Sequence, residues 1–189
     1  HVSMCLQNGD MTSPVLVEYI TYCGSVLEHH IADASTQAVF EQTFSVSRFR
    51  TTFDVPTLPL LVGLDFEWKP DRAGQNNPIS VMQFACWDTV FLLRMSDCLE
   101  LPPWLTDFLE SDGEIVKITA SFDIADKQKL QSSFKWDFDI KAFRTSFCDI
   151  AELAAAREIP QGMLKMAHHL KVPFQKLKSV GTSDWESAS

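Results

Sequence analysis

The segment Leu61-Val62-Gly63-Leu64-Asp65-Phe66-Glu67-Trp68 is an apolar run that ends in two carboxylates one residue apart. Apolar residues at successive positions suit a strand covered on both faces, and Val, Leu and Phe favour extended backbone. Side chains alternate along a strand, so Asp65 and Glu67 emerge on one face, about 6–7 Å apart. Two uncompensated carboxylates at the end of a core strand are costly, and a divalent cation would offset that cost. A strand that simply ends in a solvated acidic turn explains the same eight residues. The choice between the two depends on what the rest of the chain supplies.

A chain of 189 residues suffices for one domain with a substantial core, and 46% hydrophobic with 22% charged residues is the balance of a globular protein. No apolar stretch is long enough for a membrane-spanning helix, so no membrane partner is expected. Five cysteines, odd in number and without a Cys-x-x-Cys, argue against a disulfide framework and a zinc ribbon. They favour a reducing, intracellular setting, nuclear or cytoplasmic, with each cysteine acting as a small buried hydrophobe. The net charge of −9 argues against a broad basic grip on nucleic acid. It leaves room for a nuclease, whose metals are held by acids and themselves face the phosphate.

Residues 1–58 read as a mixed lead-in, and residues 59–189 as the main domain. In the lead-in, Val15 to Tyr22 suggests a strand, Leu27 to Phe40 a helix, and Phe44 to Phe53 a strand or irregular segment. After the Asp65 strand comes a polar loop from Lys69 to Pro78. Ile79 to Ala85 and Thr89 to Arg94 then form a hairpin around a short turn. Pro102-Pro103 opens a helix through Leu109. Ile115 to Ala120 is a strand and Asp123 to Gln131 a helix. Phe147 to Ile150 is a short strand, followed by helices from Ala151 to Arg157 and from Met163 to Leu170. This order implies an α/β domain with a mixed sheet and an early antiparallel hairpin flanked by helices.

A second acidic feature follows the strand at Ile115, in Ser121-Phe122-Asp123-Ile124-Ala125-Asp126-Lys127-Gln128-Lys129-Leu130. Asp123 suits a helix N-cap, which would leave Asp126 in the first turn. Asp-x-Glu-Trp, then Pro-Ile-Ser-Val-Met-Gln-Phe, then Val-Lys-Ile with Asp-x-x-Lys-Leu resembles the DEDD 3′–5′ exonucleases. The nearest likeness is to the Werner-syndrome exonuclease and ribonuclease D group. Cys148-Asp149-Ile150-Ala151-Glu152-Leu153, the helix at Gly162 to Leu170 and Thr182-Ser183-Asp184-Trp185-Glu186 extend the resemblance, which covers residues 60–189.

The resemblance implies a ribonuclease-H-like, DnaQ-like exonuclease fold and hydrolysis of terminal phosphodiesters at a DNA or RNA 3′ end. It implies Mg²⁺ or Mn²⁺ in a two-metal site, with Asp65, Glu67 and Asp126 as metal ligands and catalytic residues, and Asp123 as the alternative to Asp126. Two departures stand out. The family's third motif, Tyr-x-x-x-Asp, would lie beyond Ser189, so the expectation is a domain cut short before its fourth carboxylate. Small residues, often Gly, usually precede the second-motif Asp, where this chain has Thr119-Ala120-Ser121-Phe122. A nuclease-like module that binds nucleic acid or protein without catalysis is the alternative, and another acidic two-metal phosphohydrolase on the same fold is a third.

Trp68 flanks the carboxylates and could stack on a terminal base. Lys165, Lys171, Lys176 and Lys178 gather positive charge late in the chain, and Lys176 and Lys178 are the candidates for phosphate contact. Asp149 reads as a helix N-cap, and Gln83 as a buried hydrogen-bonding group. His29-His30 and His168-His169 are adjacent pairs, which on a helix point about 100° apart and cannot share a metal.

Overall fold

Leu60–Trp68 forms the strand that the apolar run predicts, and it lies inside a sheet to which the described residues contribute six strands. The computed structural model describes residues 25–72, 74–87, 89–95, 97–111, 113–122, 124–134, 146–172 and 174. The expected strand at Val15 to Tyr22, the Asp123 cap, Lys176, Lys178 and the Thr182–Glu186 segment lie outside them.

In chain order the elements are β1 (Ser25–His30), α1 (Thr36–Thr43), α2 (Val46–Phe53), β2 (Leu60–Trp68), β3 (Ile79–Cys86), β4 (Thr89–Arg94), α3 (Pro103–Glu110), β5 (Ile115–Thr119), α4 (Ile124–Phe134), β6 (Phe147–Asp149), α5 (Ile150–Ala155) and α6 (Met163–His169). The strand order is β1-β4-β3-β2-β5-β6. β2, β3 and β4 form the antiparallel part, while β1 on β4, β5 on β2 and β6 on β5 are parallel. The sheet is therefore mixed, with the expected early hairpin at its centre.

Two expectations for the lead-in are corrected. Ser25–His30 is a strand rather than the start of a helix, and the helix begins only at Thr36. The open edge of β4 explains this: its backbone groups need partners, and β1 supplies them from Ser25↔Thr89 to His30↔Arg94. His29 stacks on Phe91 with ring centroids 5.1 Å apart. His29 and His30 thus point to opposite faces of a strand, and the separation expected of the pair holds for a different reason.

Phe44 to Phe53 is mostly helix rather than strand. Ser45 caps α2 by accepting the Arg48 N–H at 3.2 Å, and Asp54 ends it with a left-handed φ of 52°. Val46 and Phe49 pack on the core, and Phe49 stacks on Trp87 at 5.2 Å. An apolar stripe at i and i+3 together with a Ser cap outweighs the β preference of Val, Thr and Phe.

Leu60, Val62, Leu64 and Phe66 line the buried face of β2, with Met82 and Phe84 from β3 and Phe91 and Leu93 from β4. Phe40 of α1 and Leu105, Phe108 and Leu109 of α3 complete this layer. Lys117 of β5 is also fully buried, yet its ammonium has partners. Nζ donates to the Phe108 carbonyl at 3.1 Å, the Ser111 carbonyl at 2.6 Å and Ser111 Oγ at 3.1 Å. A cation at the C-terminal end of α3 meets the negative end of the helix dipole. No described helix is long and apolar enough to cross a membrane.

Candidate functional site

Asp65 and Glu67 occupy the last part of β2, on one face of the strand. Asp65 is half-buried and lies across from Gln83, while Glu67 is 9% exposed and lies across from Val81. A carboxylate this buried requires polar company. Gln83 Nε2 donates to Glu67 Oε1 at 3.2 Å, the hydrogen-bonding role expected of it. The ladder shifts between Glu67 and Trp68, where Trp68 pairs with Ile79 and Ser80 is skipped. Such a bulge re-aims the residue that follows it. Trp68 consequently borders a cleft of 370 Å³ together with Asp71, Asn76, Ala125, Gln128, Lys129 and Ser132.

Asp126 lies in the first turn of α4, half-buried, where a negative charge complements the helix dipole. The turn before it is fixed from a distant part of the chain. Asp149 accepts the N–H groups of Ser121 at 2.9 Å and Phe122 at 2.6 Å, as well as that of Ala151 at 2.8 Å as the N-cap of α5. Ser121 has a φ of 63°, the left-handed region that glycine enters most freely. Where the chain lacks glycine, the Asp149 carboxylate anchors the Ser121 backbone. Sequence reading found the capping role of Asp149 but not its grip on this turn, because the two segments are 28 residues apart.

One residue of the Asp-x-x-Lys-Leu segment has a role that the motif did not disclose. Lys129 is 6% exposed, and its Nζ donates to Asp71 Oδ1 at 3.0 Å, Asp71 Oδ2 at 2.8 Å, Asn76 Oδ1 at 2.8 Å and the Asn77 carbonyl at 2.8 Å. The ammonium also lies 5.4 Å from the Trp68 ring centroid.

The Lys129 hydrogen bonds, with the Asn77 N–H, hold the Asp71 carboxyl below its ordinary value of 3.8. A carboxylate depressed on folding stabilises the fold above the unfolded pKa and loses that contribution as pH falls through the folded one. The pair should therefore be intact at neutral pH, and its contribution should fade only below 3.8. Following the Asp71 carboxyl carbon by NMR checks this. Titration at or above the ordinary value would show that the pair does not form in solution.

The structure brings Asp65 and Glu67 together on one face and places Asp126 at the start of α4. Among the described residues, no three His, Cys, Asp or Glu side chains form a group that could hold a metal ion. Of the five cysteines expected to be buried, Cys5 and Cys23 lie outside the described residues, Cys86 is buried, and Cys98 and Cys148 are only half-buried. Burial pushes the Cys98 thiol up, and Sγ donates to the Glu100 carbonyl at 3.1 Å. A raised pKa disfavours the thiolate, so this is not an activated nucleophile.

No protein-family model and no curated protein sequence matches the chain. Solved structures do. NrnC of Brucella melitensis is 16% identical with a TM-score of 0.57, over 87% of this chain and 69% of that one. RNase D of Escherichia coli, an exoribonuclease involved in structured RNA processing, is 17% identical with a TM-score of 0.57, over 85% of this chain and 37% of that one. The catalytic core of RRP6 from Trypanosoma brucei is 13% identical with a TM-score of 0.52, over 87% of this chain and 39% of that one. The chain thus spans well under half the length of the last two. At these identities the likeness is one of architecture: the chain has the ribonuclease-H-like fold of the DEDD 3′–5′ exonuclease domains.

Proposed function

We propose that the chain is a 3′–5′ exonuclease-like domain that hydrolyses terminal phosphodiesters of DNA or RNA with a divalent metal cofactor. The observation that supports this reading most is the Asp65/Glu67 pair, on one face at the end of β2 within this fold. Hard carboxylate oxygens fit Mg²⁺ or Mn²⁺ in kind, and Mg²⁺ is commonly held by one or two carboxylates plus water and substrate phosphate. The pair therefore fits one ion. The two-ion form of the reaction needs ligands beyond it, and Asp126 is assigned as the third. NrnC of Brucella melitensis is known with bound Mg²⁺, at 14% identity and a TM-score of 0.54.

A bound divalent cation would place positive charge against the scissile phosphate and lower the pKa of an attacking water. The chain's own residues do the remaining work. Asp65 and Glu67 hold the ion, and the Gln83 amide orients Glu67 by engaging Oε1. Trp68 offers a ring for the terminal base, and Lys176 and Lys178 contact phosphate.

The test uses single-stranded DNA and RNA labelled at the 5′ end, incubated with the full chain and Mg²⁺ or Mn²⁺. Stepwise shortening from the 3′ end is expected, stopped by EDTA and restored by adding metal back. Shortening that ignores EDTA would refute the metal assignment. Retained binding with no shortening in either metal would instead favour the non-catalytic binding module, the reading suggested by the lack of a three-acid group among the described residues.

A further inference from the structure

We propose that Lys129 is a positioning residue for the metal-binding carboxylates, an inference that rests on the nuclease reading above. The connection from β2 to β3 begins directly after the Glu67–Trp68 step, and Lys129 clamps it onto α4. Its four acceptors, two oxygens of Asp71, the Asn76 side chain and the Asn77 carbonyl, all belong to this one connection. Lysine is rarely this buried unless fully paired, and an ammonium with three donors facing four acceptors is saturated.

The connection is itself braced, so it moves as a unit. Asp71 Oδ1 also accepts the Asn77 N–H at 2.8 Å, and Asn77 Nδ2 donates to the carbonyls of Lys69 at 3.1 Å and Pro70 at 3.2 Å. A second tie to the same helix follows at the start of β3, where the Ile79 N–H donates to Ser133 Oγ at 2.9 Å. Helix α4 is thereby fixed along the end of β2.

Asp126 lies on α4 one turn before Lys129, and residues three apart share a helix face. The clamp therefore fixes α4, which carries Asp126, against the connection that leaves β2 directly after Glu67 and Trp68. An exposed ion pair would fix little, since two long side chains keep their freedom in water. Here the Lys129 end is buried although Asp71 is 40% exposed, and removing the ammonium takes this donor from Asn76 Oδ1 and the Asn77 carbonyl while Asp71 keeps the Asn77 N–H.

The experiment measures Mn²⁺ affinity of the full chain by electron paramagnetic resonance, without nucleic acid. Wild type should bind and Asp65→Ala should not. Lys129→Met should weaken binding by about 10- to 100-fold, the range seen when the support of a metal ligand is removed. Lys129→Arg, which keeps a cation, should recover part of the loss. Leu109→Ala, a core change in α3, should lower the melting temperature and leave the affinity unchanged.

Wild-type affinity in Lys129→Met, or an equal loss in Leu109→Ala, overturns the proposal alone. A wild type that binds no Mn²⁺ overturns the nuclease reading and the proposal with it. Should Lys129→Met not fold, Asp71→Asn carries the same test from the exposed side of the pair, and unchanged affinity there counts against the clamp.

Discussion

Replacing Asp65 by Ala is expected to reduce 3′-end hydrolysis by about a thousandfold or more, since metal stabilisation of a phosphoryl transition state contributes several kcal/mol at ~1.4 kcal/mol per decade. Glu67 alone would be left on its face of β2, with Oε1 already engaged by Gln83. On the proposed function the loss should fall on kcat at saturating nucleic acid, because Asp65 would then hold the ion at the reacting phosphate rather than add to the affinity of the strand. The fold should survive. Asp65 is half-buried on the face of β2 away from Leu64 and Phe66, so its removal opens no cavity in the core. A melting temperature near that of wild type with shortening lost is the expected combination. Equal rates of shortening for the two proteins would sink the assignment of Asp65.

The largest effect on stability should come from Phe40→Ala, at about 3–5 kcal/mol. The Phe40 ring is 1% exposed and lies at the hub of an aromatic cluster. Its centroid is 4.6 Å from Phe44, 4.9 Å from Phe84, 5.2 Å from Phe91, 5.0 Å from Trp104 and 4.9 Å from Phe108. The contacts with Phe84, Phe91 and Phe108 are edge-on, the geometry in which aromatic rings attract most directly. Truncation to a methyl group leaves a void that five rigid rings cannot easily fill. Domains of this size are stable by only about 5–15 kcal/mol, so much of the margin would go. A lower urea midpoint at unchanged slope checks the prediction, and a loss below about 1 kcal/mol would mean that α1 packs loosely in solution.

How far the fold could be read from the sequence follows the range of the forces involved. The strands from Leu60 to Thr119 were legible because apolar runs and turn residues specify them locally, and the Asp65/Glu67 pair because its two members are adjacent on one strand. β1 was missed because an edge strand buries only part of one face, so Ser25–His30 lacks a strong alternation, and its partner β4 lies 64 residues on. α2 was misread because its composition favours strand, although the Ser45 cap was there to be found.

The site shows the same division. Gln83 and Asp149 betrayed themselves as polar residues in telling local positions. The Lys129 clamp joins α4 to residues 52 to 58 positions earlier, and nothing in Asp-x-x-Lys-Leu says which acceptors its lysine will find. Local pattern reveals which groups a strand or helix presents, whereas the partners across the fold emerge only from packing.

The pairing of β1 with β4 also sets an order of events during synthesis. Ser25–His30 leaves the ribosome well before its partner, since Thr89 follows Ser25 by 64 residues. At translation rates of about 5–20 residues per second, the strand waits roughly 3–13 s for the edge it will join. Phe40 and Phe44 wait as well, because their partners Phe84 and Phe91 emerge about when β4 does and Phe108 later still. For those seconds the nascent chain carries an unpaired strand and two bare aromatic rings, the kind of surface that chaperones bind. β1, the first strand among the described residues, can dock only once β4 has been synthesised.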